Sequence, residues 1–274
     1  MQALKTTSPP AVDRALTILE VLAHSTRGLR LPEIALRLGL PKSSAHSLLV
    51  GLERRGYLQR CETSGRYRFG PKILSLANVA LCGMTLRDIA FPVLTGVMRS
   101  TGLAVKMAIL DRDQAVLIEQ VHPAHVSAPM TWLGKRLDLH STALGKVLAA
   151  FQPREQWSRL ITEHRLPRHN NNTICSPRRF LRELALTRER GYALDNEEFD
   201  LGMRCLSVPL CGSSGETVAA IGITGTTSEI HEGNLESLLK LLTTAAATIS
   251  AALTRSTEGS ANEAEHDRAS TTVA

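Results

Sequence analysis

The segment DNEEFDLGMRC, Asp195 to Cys205, places a hydrogen-bond acceptor (Asp195), a flexible Gly202, a cation (Arg204) and a thiol (Cys205) close together in the chain. A few convergent polar groups of this kind orient a small molecule in an otherwise apolar pocket. Gly134, Ala143, Leu144 and Gly145 from LGKRLDLHSTALGK can add apolar walls, and Thr224 a hydroxyl. The same stretch also reads as an acidic solvated loop beside an ordinary buried cysteine. A catalytic use would take Cys205 as nucleophile, His140 as base and Asp195 as orienter. No glycine-rich elbow surrounds Cys205, and Leu206, Val208 and Leu210 alternate as on a core strand. His122, His125 and His140 are metal-ligating types, but Pro123 prevents a regular helical face from His122 to His125. An exposed loop is expected there, and neither a metal nor a cofactor is expected.

The second chemistry-bearing stretch is LPEIALRLGLPKSSAHSLLVGLERRGYLQR, Leu31 to Arg60, followed by GRYRF at Gly65 to Phe69. Its pattern is helix, sharp turn, helix and a two-stranded wing, which places one helix in a major groove of DNA. Ala45, Leu48, Leu49 and Leu52 form one apolar stripe at i, i+3, i+4, i+7. Ser43, Ser47 and Arg54 lie opposite it, with Ser44 and His46 on the flanks. Pro41 suits a first helical turn, and the free N–H groups after it, with Lys42, Ser43 and Ser44, can receive a phosphate. Gly39 ends the preceding helix, whose buried face is Leu31, Ile34, Ala35 and Leu38. A first helix, about Val12 to Ala23, is expected to bury Val12, Ala15, Leu16, Leu19 and Leu22.

Charge separates this stretch from the rest. Residues 1–83 hold 12 Lys/Arg against 5 Asp/Glu, whereas residues 84–274 hold 20 against 21. A basic module joined to a neutral partner is the electrostatic footprint of nucleic-acid binding. Arg54, Arg66 and Arg68 fall on or near the proposed docking surface, where phosphate contacts set affinity without reading sequence. Aromatic residues are only 4%, too few for the stacking platforms that bind single strands, so duplex DNA is the expected partner. Five cysteines, odd in number and without a C-x-x-C pair, imply neither a disulfide framework nor a zinc site. The start of the chain lacks a basic region followed by an apolar core, and a cytoplasmic location is expected. Lys240 and several Thr/Ser interrupt the apolar stretch Leu235 to Leu253, which reads as a packed amphipathic helix.

The elements that must position these groups follow from periodicity. A disordered tail is expected over 1–10, the winged helix-turn-helix over 11–70 and a linker helix over 71–84. A ligand-sensing domain is expected over 85–254 and a disordered tail over 255–274. After a helix from Leu86 to Ser100, strands are expected at 104–111, 114–121, 192–196, 205–210 and 217–225. Helices are expected at 142–151, 154–161, 177–190 and 235–253. Strands interleaved with helices predict an α/β (α+β) domain around a mostly antiparallel sheet.

With these segments in view, the chain resembles the IclR-type bacterial transcription regulators, named for the isocitrate lyase regulator, over about residues 12–253. The resemblance is carried by RALTILEVL (14–22), the helix-turn-helix (31–58), GRYRFGPKIL (65–74), GKRLDLHSTALGKVLAAF (134–151), RERGYALDNEEFDLGMRCLSVPL (188–210) and AAIGITG (219–225). It implies a helical linker to a GAF-like effector domain, and homodimers or dimers of dimers on palindromic operators. It also implies control of a catabolic operon by a small organic acid or aromatic metabolite. Carried over by motif, the effector pocket falls on Leu137, Ala143, Leu144, Asp195, Leu201, Cys205, Gly222 and Thr224. Two positions depart from the family pattern. Gly222 replaces the first of two hydroxyl residues, which implies a ligand bulkier than glyoxylate. Ser47 stands where arginine is common, shifting DNA contacts towards Lys42, His46 or Arg54. The alternative from another class is a cysteine-dependent hydrolase with a DNA-binding appendage.

Overall fold

The computed structural model describes residues 10–124, 131–163 and 166–271. The chain divides into two units, Met1–Gly83 and Met84–Ala274. In the first, helices α1 (Pro10–Ala23), α2 (Leu31–Leu38) and α3 (Lys42–Arg54) pack around Ile18, Leu22, Ile34 and Leu49. The turn between α2 and α3 depends on Gly39, whose φ of 62° is the left-handed conformation that side chains disfavour. The register of α1 differs from the sequence expectation. Ile18 is fully buried, while Val12 and Leu16 are about half exposed, because the helix meets its partners mainly along the Ile18–Leu22 line, with Leu19 and Val21 beside it.

The wing also gains a strand. β2 (Leu58–Arg60) and β3 (Arg66–Phe69) form the expected hairpin, and β1 (Leu29–Arg30) pairs with the other edge of β3. Two residues carry no readable alternation, so β1 was not visible in the sequence. Helix α4 (Pro71–Cys82) follows, starting on a proline at a position where no N–H is needed.

The second unit has three layers. Its six-stranded sheet is antiparallel throughout, in the order β6-β5-β4-β9-β8-β7. The strands are β4 (Ala104–Asp111), β5 (Gln114–Val121), β6 (Arg136–Leu137), β7 (Ala193–Asn196), β8 (Met203–Cys211) and β9 (Thr217–Thr226). Alternation along the strands makes two apolar faces. Val105, Met107, Leu206, Val208, Ile221 and Ile223 pack towards α5 (Thr85–Thr101) and α9 (Glu232–Thr271). Ala108, Ala193 and Ala220 share a core with α6 (Ala143–Ala150), α7 (Arg154–Glu163) and α8 (Pro177–Arg190). The small residues let α6 approach closely. Helix α9 is long and apolar enough to cross a membrane by length and composition, but Leu242, Ala245, Ala246 and Ile249 are buried in this core. It continues to Thr271, well past the end expected near 253. The segment expected to be a disordered tail therefore contains helix, consistent with the helix formers Glu263, Ala264 and Glu265.

Candidate functional site

In the first unit, α3 presents Lys42, Ser43, His46, Ser47 and Arg54 to solvent, with Ser44 half-buried. Pro41 caps α3 in an extended conformation, just outside the helical turn it was expected to join. Ser47 Oγ donates to the Ser43 carbonyl at 3.2 Å, folding the hydroxyl against its own helix. The middle of this face is therefore short and smooth, and its cations stand at the two ends. Arg68 is exposed on β3. Arg66 corrects its expected role as a free phosphate contact. Its Nη1 donates to the Gly28 carbonyl at 2.8 Å and lies 3.3 Å from Glu33 Oε2, so it ties the wing to α2. The Arg30 backbone N–H, assisted by Arg66, holds the Glu33 carboxyl below the usual range.

In the second unit, a cavity opens between the sheet and the start of α6. Strand register explains what lines it. One cross-strand row reads Ser207–Gly222–Lys106, and the next reads Asp195–Cys205–Thr224–Ala104. Side chains two residues apart share a face, so both rows look towards α6. Thr142, Ala143 and Leu144 at the start of α6 line the same cavity, as do Leu137, Phe199 and Met203. Thr142 Oγ1 accepts the Gly145 N–H at 3.1 Å and so fixes this helix end.

Seven of the eight expected effector residues meet here: Leu137, Ala143, Leu144, Asp195, Cys205, Gly222 and Thr224. Leu201 does not. It sits in the turn before β8, is 68% exposed, and reaches no wall. Gly134, Gly145 and Arg204 also lie off the cavity lining. A Cβ on Gly145 would fall 2.3 Å from the Asp138 carbonyl, so this glycine serves packing. Arg204 is held by Asn196 Oδ1 and the Ile230 carbonyl. Gly222 does make room, but a neighbouring hydroxyl takes part of it. A Cβ there would lie 2.1 Å from Ser207 Oγ, so the hydroxyl missing on β9 is supplied from β8.

The cavity also contains groups that sequence reading passed over. Lys106 interrupts the apolar run AVKMAILD and has no hydrogen-bond or ion-pair partner among the described residues. Burial pushes its ammonium below the usual lysine range. Ser207 Oγ and Thr131 Oγ1 are buried without a hydrogen-bond partner among the described residues. Lys135 stacks over Trp132 and Phe199 at 5.1 and 5.6 Å. The signal for Lys106 was its place in the alternation, legible only with the strand pairing in hand.

Behind the cavity, fully buried Lys146 donates to the Leu194 carbonyl at 2.9 Å and to Glu198 Oε1. Asp195 Oδ1 accepts the Glu198 N–H at 2.8 Å. Burial pushes both carboxyls up, while the nearby Lys146 charge pulls them down. Asn170 and Thr173 hold the same loop through its carbonyls.

The catalytic alternative fails on geometry. Burial, then the Asp195 charge, pushes the Cys205 thiol up to about 12, and its Sγ lies 3.3 Å from Thr224 Oγ1. His140 is directed to the Pro167 carbonyl, 2.9 Å away, and does not line this cavity. Of the three histidines considered as metal ligands, His122 is exposed, His140 is buried and His125 lies outside the described residues. Asp138 and His169 pair at 2.7 Å beside His140.

The family model "Bacterial transcriptional regulator IclR C-terminal" matches residues 79–251, and "IclR helix-turn-helix domain" matches 11–61. The HTH-type transcriptional regulator XynR of Escherichia coli is 32% identical over 243 residues, covering 89% of this chain and 96% of XynR. The solved Thermotoga maritima IclR is 32% identical with a TM-score of 0.70, covering 89% of this chain and 98% of its own. An IclR homolog from Microbacterium hydrocarbonoxydans, solved with 4-hydroxybenzoate, is 23% identical with a TM-score of 0.76 over 89% of this chain and 98% of its own.

Proposed function

Because the chain belongs to the IclR family of bacterial transcriptional regulators, we propose that a small organic acid or aromatic metabolite in the cavity sets its affinity for a palindromic operator. The chain is a regulator of transcription and not an enzyme. In this reading residues 11–70 bind DNA through Lys42, Ser43, Ser44, His46, Ser47, Arg54 and Arg68, and residues 85–254 bind the effector. The linker is residues 71–84. Controlled genes serve catabolism of the effector, and the protein acts in the cytoplasm as a homodimer or dimer of dimers. Two copies place two α3 helices about one helical turn of DNA apart, or a multiple of it. The apolar side chains Leu74 and Val79 of α4, 74% and 70% exposed, suit a contact between copies.

The observation that carries the reading is the cavity, where Ser207 Oγ and Thr131 Oγ1 have no hydrogen-bond partner among the described residues, and which stands in a unit other than the basic helix-turn-helix. A ligand changes operator affinity only as far as it binds one state of the dimer better than another. The test is operator binding by gel shift, with an operator recovered by selection from random duplexes, across a panel of organic and aromatic acids. A panel member should change the apparent Kd of the wild type and leave Leu137→Trp, whose larger side chain takes room from the cavity, unresponsive. A response that survives in Leu137→Trp places effector control elsewhere.

A further inference from the structure

We propose that Lys106 makes this cavity selective for a hydroxylated monocarboxylate, with the carboxylate at the Lys106–Ser207 row and the hydroxyl at the Asp195–Thr224 row. The inference rests on the cavity being the effector site. Three observations carry it. Lys106 is a cation within the cavity wall, without a hydrogen-bond or ion-pair partner among the described residues. Ser207 Oγ, 1% exposed, lies in the same cross-strand row, also without a partner among the described residues, and sits over Gly222, which has no side chain to separate it from Lys106. Thr131 Oγ1, 6% exposed, is a further donor on the lining without a partner among the described residues. An ammonium and two hydroxyls in a mostly apolar cavity are the complement of a carboxylate, and their charge-assisted hydrogen bonds are stronger than neutral ones.

The second row has the opposite character. Asp195 spends one oxygen on the Glu198 N–H and accepts hydrogen bonds when ionised, so it suits a donor and repels a second anion. Two residues along a strand separate the rows by roughly 7 Å. A ligand must therefore be long enough to keep its acid and its hydroxyl at opposite ends. Leu137, Leu144, Phe199 and Met203 give its middle apolar contact.

The test uses the full-length protein and calorimetric titration with three hydroxy acids, glycolate, 4-hydroxybutyrate and 4-hydroxybenzoate, each against its neutral amide. At least one of the two longer acids should bind the wild type about tenfold or more tightly than its amide, as expected for a charged hydrogen bond. Lys106→Met, which keeps the apolar stem, should weaken the acid to the level of the amide and leave the amide unchanged. Lys106→Arg should keep the preference, and unfolding curves should show both variants folded. An acid preference that persists in Lys106→Met overturns the proposal, as does a wild type that binds no acid or binds glycolate best. If acid and amide bind Leu137→Trp as they bind the wild type, the cavity is not the site. In that case the functional reading fails, which is distinct from failure of the Lys106 assignment alone.

Discussion

On α3 and β3 the cations Lys42, Arg54 and Arg68 stand in solvent, whereas Lys106 and Lys146 are set into the body of the second unit. Both regions present positive charge, yet the surroundings give it different uses. In water each exposed cation contributes little alone, is screened by salt, and tolerates replacement. Several together suit a polyanion such as duplex DNA, whose counterions are released on binding. Inside a protein one charge has few alternatives to a matched partner, so its loss or mismatch is costly. The exposed set therefore provides additive, salt-sensitive affinity, and the enclosed set provides discrimination.

Removing a charge from each region tests this contrast most strongly. Lys146→Met leaves the Glu198 carboxylate buried without its cation and should cost about 3–5 kcal/mol of stability. The exposed counterpart Arg54→Ala should stay within about 0.5 kcal/mol. Denaturant unfolding of the two variants gives the comparison directly, and equal losses would erase it.

Adding a charge to the DNA-facing helix comes next in size. Ser43→Glu sets a carboxylate where phosphate is expected, and like-charge juxtaposition costs several kcal/mol, on the order of 100-fold in operator affinity. Gel shift with circular dichroism as a control for folding measures it, and unchanged binding would move the interface off the start of α3.

A pH titration separates the regions by a smaller effect. Burial holds Lys106 below the ordinary lysine range, opposed by Cys205, Asp200 and Asp195 and assisted by Lys135. A bound carboxylate favours its ammonium, so above the free-state pKa binding must take up a proton. Acid affinity should then fall with rising pH by up to about tenfold per unit until the bound-state pKa is passed. Titration in buffers of different ionisation enthalpy should register proton uptake in the wild type and none at Lys106 in Lys106→Met.

The smallest effects distinguish two arginines on one strand. Arg68→Ala should lower the slope of log affinity against log salt by about 1 and weaken all duplex sequences alike. Arg66→Ala should instead lower stability by about 1 kcal/mol, because it removes the bonds to Gly28 and Glu33. A reversed pattern would return Arg66 to the DNA surface.

Much of this could be read from the chain because local signals were strong. Strands β4 and β5 and helix α8 have the bounds that alternation and capping indicated. Short elements escaped, since two residues at Leu29–Arg30 and two at Arg136–Leu137 have no period to read. Most of the motif-derived cavity residues came together. Leu201 did not, because a residue in an exposed turn takes its direction from that turn rather than from its neighbours in sequence. Lys106 and Ser207 escaped because each looked like an ordinary polar residue on a strand until pairing set them in one row.

The sequence by itself determined the family, the basic helix-turn-helix and the α+β character of the second unit. The last two follow from periodicity and charge along one dimension, and the family from the resemblance of the motifs. Tertiary structure alone decided that Arg66 bonds to Gly28 and Glu33, that Ser207 sets a hydroxyl beside Gly222, and that Lys106 lies in the cavity wall. The reason is physical: a side chain's charge and hydrogen bonds take their value from what lies across the strand or helix. That neighbour is set by strand register and by packing between residues far apart in the chain.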